Sequence, residues 1–345
     1  MTRAATVLAN TLTNHGVDRV FCVPGESYLA LIDALYDTPS IDVVTARHEG
    51  GASFMAVADA KMTGKPGIVM VSRGPGATNA SIGIHVSQQD AVPVIMFVGQ
   101  VSREDRGRGA FQEVDYVKTY SDMAKWVIEV SDADKISECV RRAFVIAQSG
   151  TPGPVIISLP EDMLLDETNA PALIPAIISQ PKPNMDDILE ICDMLAIAKR
   201  PLIIAGGQIG GIKGRNLLRI VSETWNIPVA TAWRHQDLFN TNHPNFSCHL
   251  AFNMPPIFKD TLNESDLIIG IGTRLGDVVT QGYKVPSAPQ PIQKLIHIYN
   301  DSKPLGNVFQ TDLAIVADAT KTLELIATIN PPEVPKERLD WISKA

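Results

Sequence analysis

The feature that most constrains this chain is a set of short, wholly apolar, β-branched runs separated by longer helical patterns. In the first half they read "VFCV", "IDVVTA", "GIVMVS", "PVIMFVG" and "GPVIISLP", the last following the helix-like "DADKISECVRRAFVIAQSG". A strand with one face in water alternates apolar and polar residues, whereas a run apolar throughout suits a strand of a parallel sheet covered by helices on both faces. The same alternation restarts with "RPLIIAGG", "IPVATAW", "SDLIIGIGT", "KLIHIYN" and "LAIVADAT". The fold class expected is α/β, with two doubly wound parallel-sheet domains at residues 1–165 and 187–330. Between them, residues 166–186 contain Pro171, Pro175, Pro181 and Pro183 without periodicity and read as a linker. The closing stretch 331–345, "PPEVPKERLDWISKA", is Pro-rich and charged and reads as the start of a connection to a further domain.

The chain has 345 residues, 45% of them hydrophobic and 20% charged, which is material for two globular cores. Its net charge of -8 comes from scattered acids, with no Lys/Arg stripe to follow a phosphate backbone, so nucleic acid is not expected as a partner. No apolar stretch approaches the roughly 20 residues of a membrane span, and the start of the chain reads as an amphipathic helix running into a strand rather than a secretory signal. Cys22, Cys139, Cys192 and Cys248 lie far apart with no CxxC or Cys/His cluster. They read as reduced core residues of a cytoplasmic protein, and no metal site is expected from them.

Ligands of open parallel sheets collect at the carboxyl ends of strands. Four candidate stretches fall there: Val23-Pro24-Gly25-Glu26, Arg47-His48-Glu49-Gly50-Gly51, Arg73-Gly74-Pro75-Gly76-Ala77-Thr78-Asn79, and Phe111-Gln112-Glu113. Each also has a plain structural reading. Glu49 can be a first-turn carboxylate facing the helix dipole. "GPGATN" can be a tight turn, His48 can complete a hydrogen bond, and Arg274 can be a surface ion-pair partner. "FQEVD" alone says almost nothing, and "AGGQIGG" does not keep the GxGxxG spacing of a dinucleotide-binding turn.

Taken together and in order, "VPGES", "LIDALYD", "RHEGGA", "SRGPGATN", "AFQEVD" and "GTPGPVIISLPED" resemble the thiamine diphosphate dependent enzymes of the acetolactate synthase type. "IIAGG", "HLAFNMPP" and "SDLIIGIGTRLGD" resemble the central, Rossmann-like domain of the same family. The resemblance implies that residues 1–165 are the pyrimidine-binding domain and that the cofactor is thiamine diphosphate. It implies that Glu49 hydrogen-bonds the aminopyrimidine ring nitrogen, sharing a proton so that the imino form is favoured. A carboxyl among small apolar residues and against a planar ring is desolvated, which suits it to proton sharing near neutrality. Phe111 and Gln112 would face the reacting carbon. Val23, Gly25, Pro75 and Asn79 would border the cofactor, and Gly206, Gly207 and Arg274 would hold a flavin, FAD, in a structural role. The activity implied is decarboxylation of a small 2-oxoacid followed by carboligation, in a homodimer or tetramer.

Departures from the pattern narrow this reading. The family resembles "PKD" where this chain has Pro160-Glu161-Asp162, so an anionic substrate would be repelled if Glu161 faced its channel. Val278 replaces an arginine thought to receive the second oxoacid, and Val23 replaces a tyrosine. No GDG motif is present, so the Mg2+ ligands are expected from a diphosphate-binding domain missing from this chain or supplied by a separate subunit. Without that domain the chain is expected to be inactive. The alternatives are a non-catalytic scaffold or regulatory subunit keeping the fold, and a flavin- or nucleotide-binding module.

Overall fold

The fold is known from a computed structural model, which describes residues 1–333 and 335–345. These divide into two compact units, Met1–Ile178 and Ser179–Ala345. In chain order, unit 1 contains β1 (Thr2–Arg3), α1 (Ala4–Asn14), β2 (Arg19–Cys22), α2 (Leu29–Tyr36), β3 (Asp42–Thr45), α3 (Glu49–Thr63), β4 (Gly67–Val71), α4 (Pro75–Asp90) and β5 (Val94–Gln100). It continues through α5 (Tyr116–Tyr120), β6 (Trp126–Glu129), α6 (Ile136–Gln148), β7 (Pro154–Pro160) and β8 (Glu167–Thr168). Unit 2 runs α7 (Met185–Ile197), β9 (Pro201–Ala205), α8 (Gly211–Trp225), β10 (Val229–Thr231), β11 (Phe246–His249) and α9 (Pro256–Glu264). It closes with β12 (Leu267–Ile271), β13 (Lys294–Tyr299), β14 (Leu313–Val316), α10 (Ala319–Ile326) and α11 (Glu337–Lys344).

Each unit is built on a six-stranded sheet, ordered β3-β2-β4-β5-β7-β6 in unit 1 and β11-β10-β9-β12-β13-β14 in unit 2. Every pairing within both sheets is parallel. The apolar runs are thereby explained, because neighbours along a strand point to opposite faces and both faces are covered. In β4, Ile68 and Met70 enter the core beneath α1, α2 and α6, while Val69 and Val71 enter the core beneath α3 and α4. Unit 2 repeats the pattern, with Ile203 and Ala205 of β9 on one face and Leu202 and Ile204 on the other. The expected pair of doubly wound sheets is the observed architecture.

Two stretches read as connections behave differently from that reading. Within 166–186, Glu167 and Thr168 pair antiparallel with Arg3 and Thr2, tying the start of unit 1 to its end. Within 331–345, of which residue 334 lies outside the described residues, α11 is packed onto unit 2. Arg338 is 0% exposed and Trp341 3%. The Arg338 guanidinium donates to the carbonyls of Leu195 and Ala198 at the end of α7, and at 2.9 Å to that of Trp225 at the end of α8. A buried cation is costly unless its N–H groups are matched, and here the two terminal nitrogens meet the negative ends of two helix dipoles, while Nε finds no partner among the described residues. Trp341 Nε1 donates to Pro201 O at 2.8 Å, fixing α11 to the root of β9.

The small residues after Glu49 also have a packing reason. Ala52, Ser53, Ala56 and Ala60 of α3 are buried, as are Gly76, Ala77, Ala80 and Gly83 of α4. The helices approach so closely that a Cβ on Gly83 would lie 2.3 Å from Ser53 Oγ. Among the described residues, no helix is long and apolar enough to cross a membrane.

Replacing Arg338 with methionine removes the donors to three carbonyls. We expect unit 2 to lose about 3 kcal/mol of stability, measured as an earlier urea transition of that unit alone.

Candidate active site

In unit 1 the strand order reverses beside β2, since β3 lies to one side of it and β4 to the other. At such a reversal the loops leaving the carboxyl ends diverge and open a crevice. The loop after β2 carries Val23 and Gly25, the loop after β3 leads to Glu49, and the loop after β4 leads to Pro75 and Asn79.

Glu49 is the first residue of α3. His48 caps the helix in an extended conformation, and its Nδ1 accepts from Gly50 N at 3.0 Å. The side chain of Asn79, one turn into α4, donates to Glu49 Oε2 at 2.9 Å. Oε1 accepts no hydrogen bond among the described residues and lies 3.4 Å from where a Cβ on Gly76 would be. Gly25 faces Ser72, to which an added Cβ would come within 2.6 Å. Ser72 therefore fills the space between the two turns, a role no sequence pattern announces.

Gln112 arrives from the loop between β5 and α5. It has φ +65° and packs on Gly74, where a Cβ would lie 3.0 Å from Gln112 Cβ. Gly74 itself has φ +52°, a conformation that favours glycine, and its N–H donates to Tyr116 Oη at 2.8 Å. Burial pushes the Tyr116 phenol up to about 12, so its hydroxyl stays intact and can also donate to Gly99 O at 3.4 Å. Phe111 is on the same loop with 76% of its surface exposed. The structure thus gathers Glu49, Asn79, Gly25 and Gln112 at one crevice. Pro75 opens α4 as its first residue, and Val23 contributes its carbonyl, which accepts from Tyr28 Oη.

Arg73 and Glu161 form a pair the sequence did not suggest. Arg73, its side chain 11% exposed, donates through one terminal nitrogen to Glu161 Oε2 at 2.9 Å and through the other to Glu26 Oε1 at 3.4 Å. Ser102 Oγ adds a bond to Glu161 Oε1 at 3.2 Å. The acid expected to repel an anion is paired with the Arg73 guanidinium, which it shares with Glu26.

In unit 2 the order reverses beside β9, with β10 on one side and β12 on the other. Gly206 lies 2.5 Å, by its missing Cβ, from Gly272 O and Thr273 Cβ, so the turns after β9 and β12 touch. Gly207 is packed on the His235 ring, and Arg274 is exposed beyond Thr273. His297 Nε2 bonds Thr273 O at 2.8 Å and fixes that turn. Val278 is buried. Among the described residues, no group of three or more His, Cys, Asp or Glu is placed to hold a metal ion.

Residues 2–119 match the model of the N-terminal TPP binding domain of thiamine pyrophosphate enzymes, and residues 188–326 match that of their central domain. The chain belongs to the thiamine pyrophosphate enzymes. It is similar to the acetolactate synthase large subunit of Lactococcus lactis, 32% identical over 348 residues covering 99% of this chain and 59% of that protein. It is similar also to the mitochondrial acetolactate synthase of Schizosaccharomyces pombe, 31% identical, covering 98% of this chain and 53% of that protein. With the Escherichia coli acetolactate synthase isozyme 3 large subunit it shares 30% identity, over 99% of this chain and 60% of that protein. The chain spans little more than half the length of the curated relatives it matches.

Burial pushes the imidazoles of His297 and His249, both in unit 2, below their ordinary value of 6.5. The unfolded chain then takes up protons before the folded one, so this part of the stability is complete above about pH 6.5 and is lost as pH falls below it. We expect unit 2 to weaken on acidification, and a His297→Gln variant to show a shallower acid slope in urea titrations run between about pH 8 and about pH 5.

Proposed function

We propose that this chain forms the pyrimidine-binding and central parts of a thiamine diphosphate dependent enzyme of the acetolactate synthase type, acting on a small 2-oxoacid. The observation that carries this reading is the Glu49–Asn79 pair at the crevice beside β2, with one carboxylate oxygen fixed and the other open to a partner. Thiamine diphosphate, when bound, supplies the carbon nucleophile and accepts the electrons released as carbon dioxide leaves. The chain's own residues do the rest. Glu49 shares a proton through Oε1 with the pyrimidine ring nitrogen. Asn79 holds Oε2 so that the carboxylate cannot rotate away. Gly25 and Gly76 make room for the Ser72 side chain between their turns, and Gln112 and Phe111 border the reacting carbon.

The diphosphate needs a cation, and we assign the Mg2+ ligands to a diphosphate-binding domain outside these residues. The enzyme is then completed by such a domain or by a separate subunit, within a cytoplasmic homodimer or tetramer. In unit 2 we assign Gly206, Gly207 and Arg274 to FAD. The contact between the turns after β9 and β12 supports this, because it sets Gly206 against the turn that carries the exposed Arg274, and a guanidinium suits phosphate. Val278, apolar where the pattern has an arginine, favours a broader choice of acceptor than a second oxoacid.

The test is to combine the chain with a diphosphate-binding domain, thiamine diphosphate and Mg2+ and to follow carbon dioxide release from pyruvate. We expect turnover, and a loss of about 10²- to 10⁴-fold in Glu49→Gln, the range general acid–base groups contribute. Wild-type turnover that survives in Glu49→Gln would remove Glu49 from the chemistry. Binding of the cofactor without turnover would leave a non-catalytic scaffold.

A further inference from the structure

Residues 101–115, between β5 and α5, carry Phe111 and Gln112, yet neither side chain explains how the loop is held. Phe111 is 76% exposed, so its ring contributes little packing. Gln112 sits at φ +65°, which costs a non-glycine residue about 1 kcal/mol. Something else must hold the backbone there.

A polar network runs from the sheet edge to the residue next to Gln112. At its base, Gln100 and Ser158, both buried, send Nε2 and Oγ to Glu129 Oε2 at 3.3 and 3.4 Å. Gln100 Nε2 also donates to Val114 O at 2.8 Å. In the middle, Arg106 Nε donates to Glu129 Oε1 at 3.0 Å and a terminal nitrogen donates to Glu113 Oε1 at 2.5 Å. At the tip, Glu113 accepts the main-chain N–H of Gly107 at 2.7 Å and that of Ala110 at 3.3 Å. Isolated surface ion pairs contribute little. These side chains are 28%, 13% and 26% exposed for Arg106, Glu113 and Glu129, and Glu113 joins charge-assisted bonds to backbone within its own loop. The Gly107 N–H is the main reason the Glu113 carboxyl lies below its usual range.

We propose that Arg106, Glu113 and Glu129 are positioning residues that set the conformation of the loop presenting Gln112 and Phe111. The proposal rests on the roles given to those two residues under Proposed function. Arg106 is the bridge: its fork joins a carboxylate rooted in the sheet to a carboxylate that grips the loop.

Hydrogen exchange read by mass spectrometry on the full chain tests the anchoring without any cofactor. In Glu113→Ala, amides of residues 107–112 are expected to exchange at least about tenfold faster, with peptides of α3, α4 and β4 unchanged. Glu113→Gln, which keeps an acceptor for the Gly107 N–H but loses the charge, is expected to fall between, and serves if the alanine variant does not fold. Wild-type exchange across 107–112 in Glu113→Gln and Arg106→Met would overturn the proposal. A double-mutant cycle with Gln112→Ala in the completed enzyme separates positioning from general support. If Glu113 acts through Gln112, the double variant is no slower than the slower single one; multiplying losses would overturn the proposal. An inactive wild type would instead count against the function reading, and the exchange result would still decide the anchoring.

Discussion

The contact of Ser53 with Gly83 governs how far apart α3 and α4 stand, and the site of unit 1 depends on that spacing. Glu49 is the first residue of one helix and Asn79 belongs to the first turns of the other, so their 2.9 Å bond exists only while the two helices are this close. Any side chain larger than hydrogen at position 83 would push on Ser53 and, through rigid helices, on the carboxylate. The small-residue composition after Glu49 and the polar contact in front of it are two ends of one arrangement.

That dependence explains which parts were legible in sequence. Central strands such as β4 and β5 are buried on both faces and therefore spell unbroken apolar runs. Two six-stranded-sheet members absent from the sequence reading, β6 with Trp-Val-Ile-Glu and β11 with Phe-Ser-Cys-His, are short, lie at sheet edges and carry polar residues, so nothing in their pattern separates them from loop. Glu49 stood out because a carboxylate between an apolar run and a row of small residues has few packing reasons to be there. Its partner Asn79 was legible only through the resemblance, because a bond across 30 positions leaves no periodic trace.

Charge was the least legible property. Glu161 alone predicts repulsion of an anion, yet it is joined to Arg73 from 88 positions away and to Ser102. A single substitution read against a family pattern gives the sign of one charge, whereas the field at a crevice depends on what that charge faces. The tail shows the same limit. "PPEVPKERLDWISKA" reads as the start of a connection, but Arg338 and Trp341 lie one turn apart on one helical face and reach backbone carbonyls of α7, α8 and β9.

The two units use one construction with different side chains around it. In both, turns from adjacent strands touch through a glycine at the reversal of strand order, Gly25 on Ser72 in unit 1 and Gly206 on Thr273 in unit 2. What differs is what borders the bare backbone. Beside Gly76 lies the Glu49 carboxylate, with Oε2 held by Asn79. On the turn that Gly206 meets, Thr273 has its carbonyl held by the buried His297 and is followed by the exposed Arg274. A fold that makes the same glycine contact twice thus leaves it to the side chains around each contact to set what that part of the unit can bind.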